Sequence, residues 1–335
     1  MVSYKKTDSE KREVLWMNFI KKSFEWLKPY GFLSFITPLY WLKLNIEVHN
    51  MMLEKHIVWL KLWDDSQSKF VINADIPISL YILQNTLNIT NKKTEIISEI
   101  KRKKLITQSI EYLNPKYSIP LAFHSIFDKL IQFIDDHNCS LEYKTKTIKS
   151  SGIKEKIPTK YKLKDMWAVD TYTLNEGILV KKAIEQHPDS NKRKLIIANK
   201  RGFKGAFIDD GKLSLTGCNK YYIIGDNLEL IKKIIGFNIN IIISDFLKYS
   251  QSFLDKEAFQ YIPDIRKLEI ADITEDDFYK LIKLTSHEIN QIKNPSSNEQ
   301  DEIDENDSSD KPEKVKKVKK VKIHIKNSSK LFIDI

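Results

Sequence analysis

The sequence predicts an α/β fold in two parts: the end of an α/β sheet that finishes in an antiparallel hairpin, followed by an α+β domain. Three observations carry this expectation. Near the N-terminus an apolar-faced helix runs into a Pro-containing turn and a short apolar strand; two further strands follow too closely for a crossover helix; and short strand-like pieces separated by Gly, Asp and Asn come later.

The first helix spans Val14 to Leu27, where Leu15, Trp16, Phe19, Ile20, Phe24 and Leu27 recur at helical spacing. Lys28-Pro29-Tyr30-Gly31 stops it. Phe32 to Ile36, apolar except for Ser34, reads as a strand buried on both faces, ended by Thr37-Pro38. A second helix around Leu42 to Leu53 precedes a strand at His56 to Leu62, a polar turn from Trp63 to Lys69, and a strand at Ile76 to Leu83 that pairs back antiparallel. Such a half-sheet, lacking its opening strands, is expected not to be stable in isolation, since one flank has an unpaired edge and an uncovered apolar surface.

Beyond Asn85 the reading is a lysine-rich helix at Lys92 to Leu113, a break at Asn114-Pro115 and an amphipathic helix at Leu121 to Asp135. Strand-like pieces follow at Leu141 to Ile148, Lys194 to Asn199, Lys204 to Ile208 and Tyr221 to Ile224, and helices close the domain at Leu228 to Leu247 and Glu275 to Ile292. Past Asn294 an acidic, serine-rich stretch gives way to alternating Lys and Val; neither can bury a core, so disorder is expected. The expected divisions are 1–90, 91–292 and 293–335.

Two cysteines, Cys139 and Cys218, make no disulfide framework, and seven scattered histidines show no zinc-site spacing. A polar N-terminus and the lack of any apolar run near ~18 residues argue for an intracellular, cytoplasmic protein without a membrane span. A formal net charge of +10 favours a polyanionic partner, because Lys and Arg that neutralise phosphates release counterions.

The segment Leu27 to Lys43, LKPYGFLSFITPLYWLK, resembles the stretch after the catalytic motif in adenine-specific DNA methyltransferases of restriction-modification systems. Lys69-Phe70 and Ile76 to Gln84 fit the turn and last strand of the same family. Asn191 to Phe207, Asn219 to Ile224 and Asp255 to Leu268 are similar to its target-recognition domain, in versions found in large DNA viruses. The resemblance covers about residues 14 to 292. It implies the C-terminal part of a Rossmann-like methyltransferase sheet to about Thr90, a target-recognition domain to about Ile292, double-stranded DNA as partner and S-adenosylmethionine as cofactor.

Methyl transfer to the exocyclic nitrogen of adenine requires the base to leave the stack and rest on an aromatic face. The resemblance gives that role to Phe70. The chain, with nine glycines, contains no Gly-x-Gly, and no Asp or Asn followed by Pro-Pro and an aromatic residue. The resemblance therefore implies that the cofactor site belongs to a missing N-terminal half or a separate subunit. The alternative is a catalytically inactive, sequence-specific DNA-binding subunit. Asn114-Pro115-Lys116-Tyr117 has the outline of the missing tetrapeptide but lies after the hairpin, where it marks a boundary. Asp136 with Glu142-Tyr143-Lys144 has the outline of a nuclease metal site, and exposed hairpin charges explain it better. For DNA contact the candidates are Lys192, Arg193, Lys194, Lys200, Arg201 and Lys204, basic residues flanking strands and a Gly202-Phe203 turn. Tyr221 and Tyr222 read as core residues of a strand.

Overall fold

The computed structural model describes residues 15–44, 46–65, 76–87, 92–145, 150–156, 167–173, 177–183, 187–198, 202–215, 220–249 and 254–295. The chain divides into two units, 1–298 and 299–335, and every described residue belongs to the first. The expected disordered tail thus lies, past residue 295, outside the described residues.

Helix α1 (Leu15–Trp26) forms where the apolar spacing places it, yet Ile20 is its one fully buried residue. Trp16, Met17, Phe24 and Leu27 pack partly against the core, while Phe19 and Trp26 stay exposed. The sheet closes the turn that follows. Tyr30 N–H donates to Asn85 O at 3.0 Å, Asn85 N–H donates to Gly31 O at 2.8 Å, and Asn85 Nδ2 donates to Leu27 O at 2.8 Å. Tyr30, not Gly31, takes the left-handed backbone, at φ 62°. Gly31 is needed for closeness instead, since a Cβ there would lie 2.9 Å from Lys28 O.

Strands β1 (Phe32–Pro38), β2 (Lys55–Trp63), β3 (Ile78–Leu87), β4 (Thr94–Ile100) and β5 (Leu105–Glu111) form a mixed five-stranded sheet in the order β1-β3-β2-β4-β5, with α2 (Glu47–Leu53) between β1 and β2. β3 runs antiparallel to both β1 and β2, as expected of the hairpin. That hairpin is interior, however: β2 continues parallel to β4, which pairs antiparallel with β5. The lysine-rich stretch expected to be helical is the β4–β5 hairpin. Thr94, Ile96, Ser98 and Ile100 turn inward with half-buried residues between them, a period of two that β-branched side chains favour.

The reading of Phe32 to Ile36 as buried on both faces is also corrected, because β1 is an edge strand with one outward face. Leu33 and Phe35 pack with Tyr81, Leu83, Leu60 and Ile96 into the core. Register places Phe32, Ile36, Leu80, Ile82, Trp59 and Ile97 on the opposite face, where each is exposed or half-exposed, with Ile106 and Ile110 exposed at the far edge. β1 and β5 are thus the two edges of the sheet.

The rest of the unit is α+β. Helix α3 (His124–His137) precedes a four-stranded sheet of β6 (Ser150–Lys156), β7 (Trp167–Thr173), β8 (Gly177–Ala183) and β11 (Ser214–Leu215). A three-stranded antiparallel sheet holds β9 (Arg193–Ala198) between β10 (Phe207–Asp210) and β12 (Lys220–Ile224). Of the piece Leu141 to Ile148, the described residues make only an isolated bridge at Lys144, and Lys204 sits in a 3-10 turn, Gly202–Gly205, ahead of β10. The two closing helices are each broken into a pair. The first becomes α4 (Leu228–Ile235) and α5 (Asn238–Phe246), separated by Gly236-Phe237. The second becomes α6 (Glu275–Leu281) and α7 (Ser286–Lys293), the latter started by a capping box of Thr285 and Glu288.

A buried ion network ties the segment after β1 to a 3-10 helix, Lys256–Tyr261. Lys43, after the 3-10 turn Leu39–Leu42, donates to Asp255 Oδ1 at 2.5 Å and lies 3.1 Å from Glu257 Oε2. Burial acts to lower the Lys43 pKa, but the two carboxylates outweigh it and the pKa is raised. Burial likewise pushes the Glu257 carboxyl up, against the pull of Lys43. Cys139 is a buried free thiol; Cys218 lies outside the described residues. Among the described residues no helix is long and apolar enough to cross a membrane.

Candidate nucleic-acid interface

The basic residues singled out around β9 meet different fates, decided by which carboxylates lie beside them. Lys194 pairs across the ladder with Asp209 and is wholly buried. Its ammonium donates to Asp209 Oδ2 at 2.6 Å and to the carbonyl oxygens of Ser190 and Lys192 at 3.1 Å each. Burial lowers its pKa, with Asp209 opposing. Its expected role in DNA contact is therefore corrected: all three ammonium protons are committed inside the protein, and no face of the group reaches a phosphate.

Arg193 is exposed but held by two acids. Its Nε donates to Asp210 Oδ1 at 3.0 Å, and its terminal nitrogens grip the Glu229 carboxylate. The immediate neighbourhood of that guanidinium carries more negative than positive charge. Lys192 is half-exposed, 2.8 Å from Asp189 Oδ1. Lys204 is exposed on the 3-10 turn. Lys200, Arg201 and Phe70 lie outside the described residues.

The two sequence decoys are also placed. Asn114 to Tyr117 is a turn, with Lys116 N–H donating to Asn114 Oδ1 at 3.0 Å and Tyr117 Oη donating to Asp135 Oδ1 at 2.8 Å. Of the metal-site outline, Asp136 and Glu142 are exposed, while Lys144 Nζ reaches Asp189 Oδ2 at 3.2 Å. Among the described residues no group of three or more His, Cys, Asp or Glu is arranged to hold a metal ion.

Asp189 is thus a meeting point that spacing in sequence does not reveal. It accepts from Lys192, from Lys144 and from Tyr222 Oη at 3.0 Å, and it is itself buried. Burial acts to raise its carboxyl, but those hydrogen bonds prevail and hold it down at about 2. Tyr222 is a core residue of β12, and Tyr221 packs its ring against Tyr143 and Phe259 while donating to Leu254 O at 3.1 Å.

No family model matches the chain, and no curated protein matches it. Among solved structures it is similar to the type IIG restriction endonuclease BpuSI, at 10% identity and a TM-score of 0.28, over 83% of this chain and 45% of that one. The chain spans less than half the length of that protein. A likeness so remote leaves fold and function to be argued from the chain's own geometry.

Two glycines close tight turns: a Cβ on Gly211 would lie 2.5 Å from Asn191 O, as one on Gly31 would crowd Lys28 O. What the site offers is cations, Lys192, Lys144 and Lys204, at the surface of a small antiparallel sheet.

Proposed function

We propose that this chain is the DNA-recognising, C-terminal part of an adenine-specific DNA methyltransferase whose cofactor-binding half, joined to it or separate, completes the sheet at β1. One observation carries the reading. The edge strand β1, uncharged from Phe32 to Pro38, carries Phe32 and Ile36 on an outward face where both stay exposed. Edge strands are ordinarily guarded by charge, a bulge or a cover, and an unguarded one is a template for pairing. Phe19, Trp26, Tyr30, Phe32 and Ile36 are each half-exposed or more. At ~150–250 Å² per large side chain they leave on the order of 600 Å² of apolar surface in water, not far below the ~800 Å² each partner brings to a standard interface. The order β1-β3-β2, with β3 antiparallel to both neighbours, supports the same reading.

In this reading Phe70 is the platform for the extruded adenine, and S-adenosylmethionine is bound by the other half. Calorimetric titration of the purified chain with S-adenosylmethionine is expected to show no binding, and tritiated cofactor is expected to leave duplex DNA unlabelled when this chain is the only protein present. Micromolar cofactor binding, or methyl transfer by this chain alone, overturns the division of labour.

A further inference from the structure

We infer that Lys144 and Lys192, converging on Asp189, form a fork that grips a phosphodiester of duplex DNA. The inference rests on the reading of this chain as a DNA-binding protein and names a contact residue, Lys144, that lies 48 positions before its neighbour in the fork. The two ammonium groups sit on opposite oxygens of one carboxylate, Lys192 at 2.8 Å from Oδ1 and Lys144 at 3.2 Å from Oδ2. Their side chains are each 53% exposed, whereas that of Asp189 is 9% exposed. The carboxylate is therefore a buried post, and the cations are the parts that face water.

The fork is anchored through Tyr222 and His187. Lys144 is bonded to β12 by reciprocal backbone hydrogen bonds with Tyr222, at 2.8 and 3.0 Å. The hydroxyl of the same Tyr222 donates to Asp189 Oδ2, and Asp189 N–H donates to His187 Nδ1 at 3.0 Å. Two positive charges against one negative leave a net positive site. Its lysines are positioned before a ligand arrives, so little side-chain freedom remains to be lost on binding. Arg193 and Lys194 lack this character, one outnumbered by acids and the other buried. A phosphodiester oxygen pair can accept from both ammonium groups, a contact that positions the duplex without reading its sequence.

The experiment is a titration of labelled duplex DNA in a chloride series with the full chain and with Lys144→Gln, Lys192→Gln, the double variant, and Lys280→Gln on α6 as control. Each fork variant is expected to flatten the slope of log affinity against log salt by about 1, and the double variant by about 2. Lys144→Arg and Lys192→Arg should restore the slope, which a purely structural role of either residue does not predict. If the parent protein binds DNA but the fork variants keep its slope, the fork is wrong and the DNA-binding reading stands. An equal loss in the Lys280 control also overturns the fork, because bulk charge then explains the effect. If the parent protein does not bind duplex DNA in low salt, the functional reading fails and the fork fails with it.

Discussion

Lys43→Met is expected to destabilise the protein by about 3–5 kcal/mol, the range for a buried ion pair stripped of one partner. The side chains of Lys43, Asp255 and Glu257 are 10%, 11% and 1% exposed. Without the ammonium, two carboxylates stay buried next to each other with nothing positive between them. Asp255 keeps only a long hydrogen bond from the Tyr249 N–H, at 3.3 Å. The loss should be partly recovered in the double variant Lys43→Met/Glu257→Gln, since one uncompensated charge is then gone and the amide fits the same space. Urea unfolding of the three proteins measures both effects. A loss below about 1 kcal/mol for the single variant would show that water reaches the network and that it does not fasten the segment after β1 to the 3-10 helix Lys256–Tyr261.

Lys194→Met should cost a similar amount, about 3–5 kcal/mol, because it leaves Asp209 buried and short of its cation. Asp209 would retain the Lys212 and Leu213 N–H donors, each at 3.1 Å, which favours the lower end of that range. The same substitution should leave the salt dependence of DNA binding untouched per folded molecule, since Lys194 presents no charge to solvent. Lys204→Gln is the mirror image: a stability change within about 0.5 kcal/mol and a slope flattened by about 1. Thermal unfolding and DNA titration on the two variants separate a core lysine from a surface one. A flattened slope for Lys194→Met at full folding would return that residue to the interface.

Much of the first sheet was legible because its signals are local. The spacing in α1, the Lys-Pro-Tyr-Gly stop and the short link between β2 and β3 each declare themselves within a few residues. The β4–β5 hairpin was not legible, because its inward positions include Thr94 and Ser98, and these polar residues hide the period of two. Thr94 is tolerated inside because of a distant partner: its Oγ1 donates to Ile57 O at 2.7 Å, a carbonyl on another strand. The site divided in the same way. A cluster of Lys and Arg near a turn is visible in one dimension, but whether each cation faces water depends on Asp209, Asp210 and Glu229, brought in by β10 and α4. Lys144 was passed over as a DNA contact for the converse reason, since only the pairing of its backbone with Tyr222 carries it to Asp189.

The most direct test of the central claim is the affinity of this chain for duplex DNA across a series of salt concentrations. The account predicts measurable binding in low salt that falls linearly, on logarithmic axes, with a slope equivalent to several phosphate contacts at ~0.9 per phosphate. Undetectable binding in low salt, or an affinity that salt leaves unchanged, would contradict it.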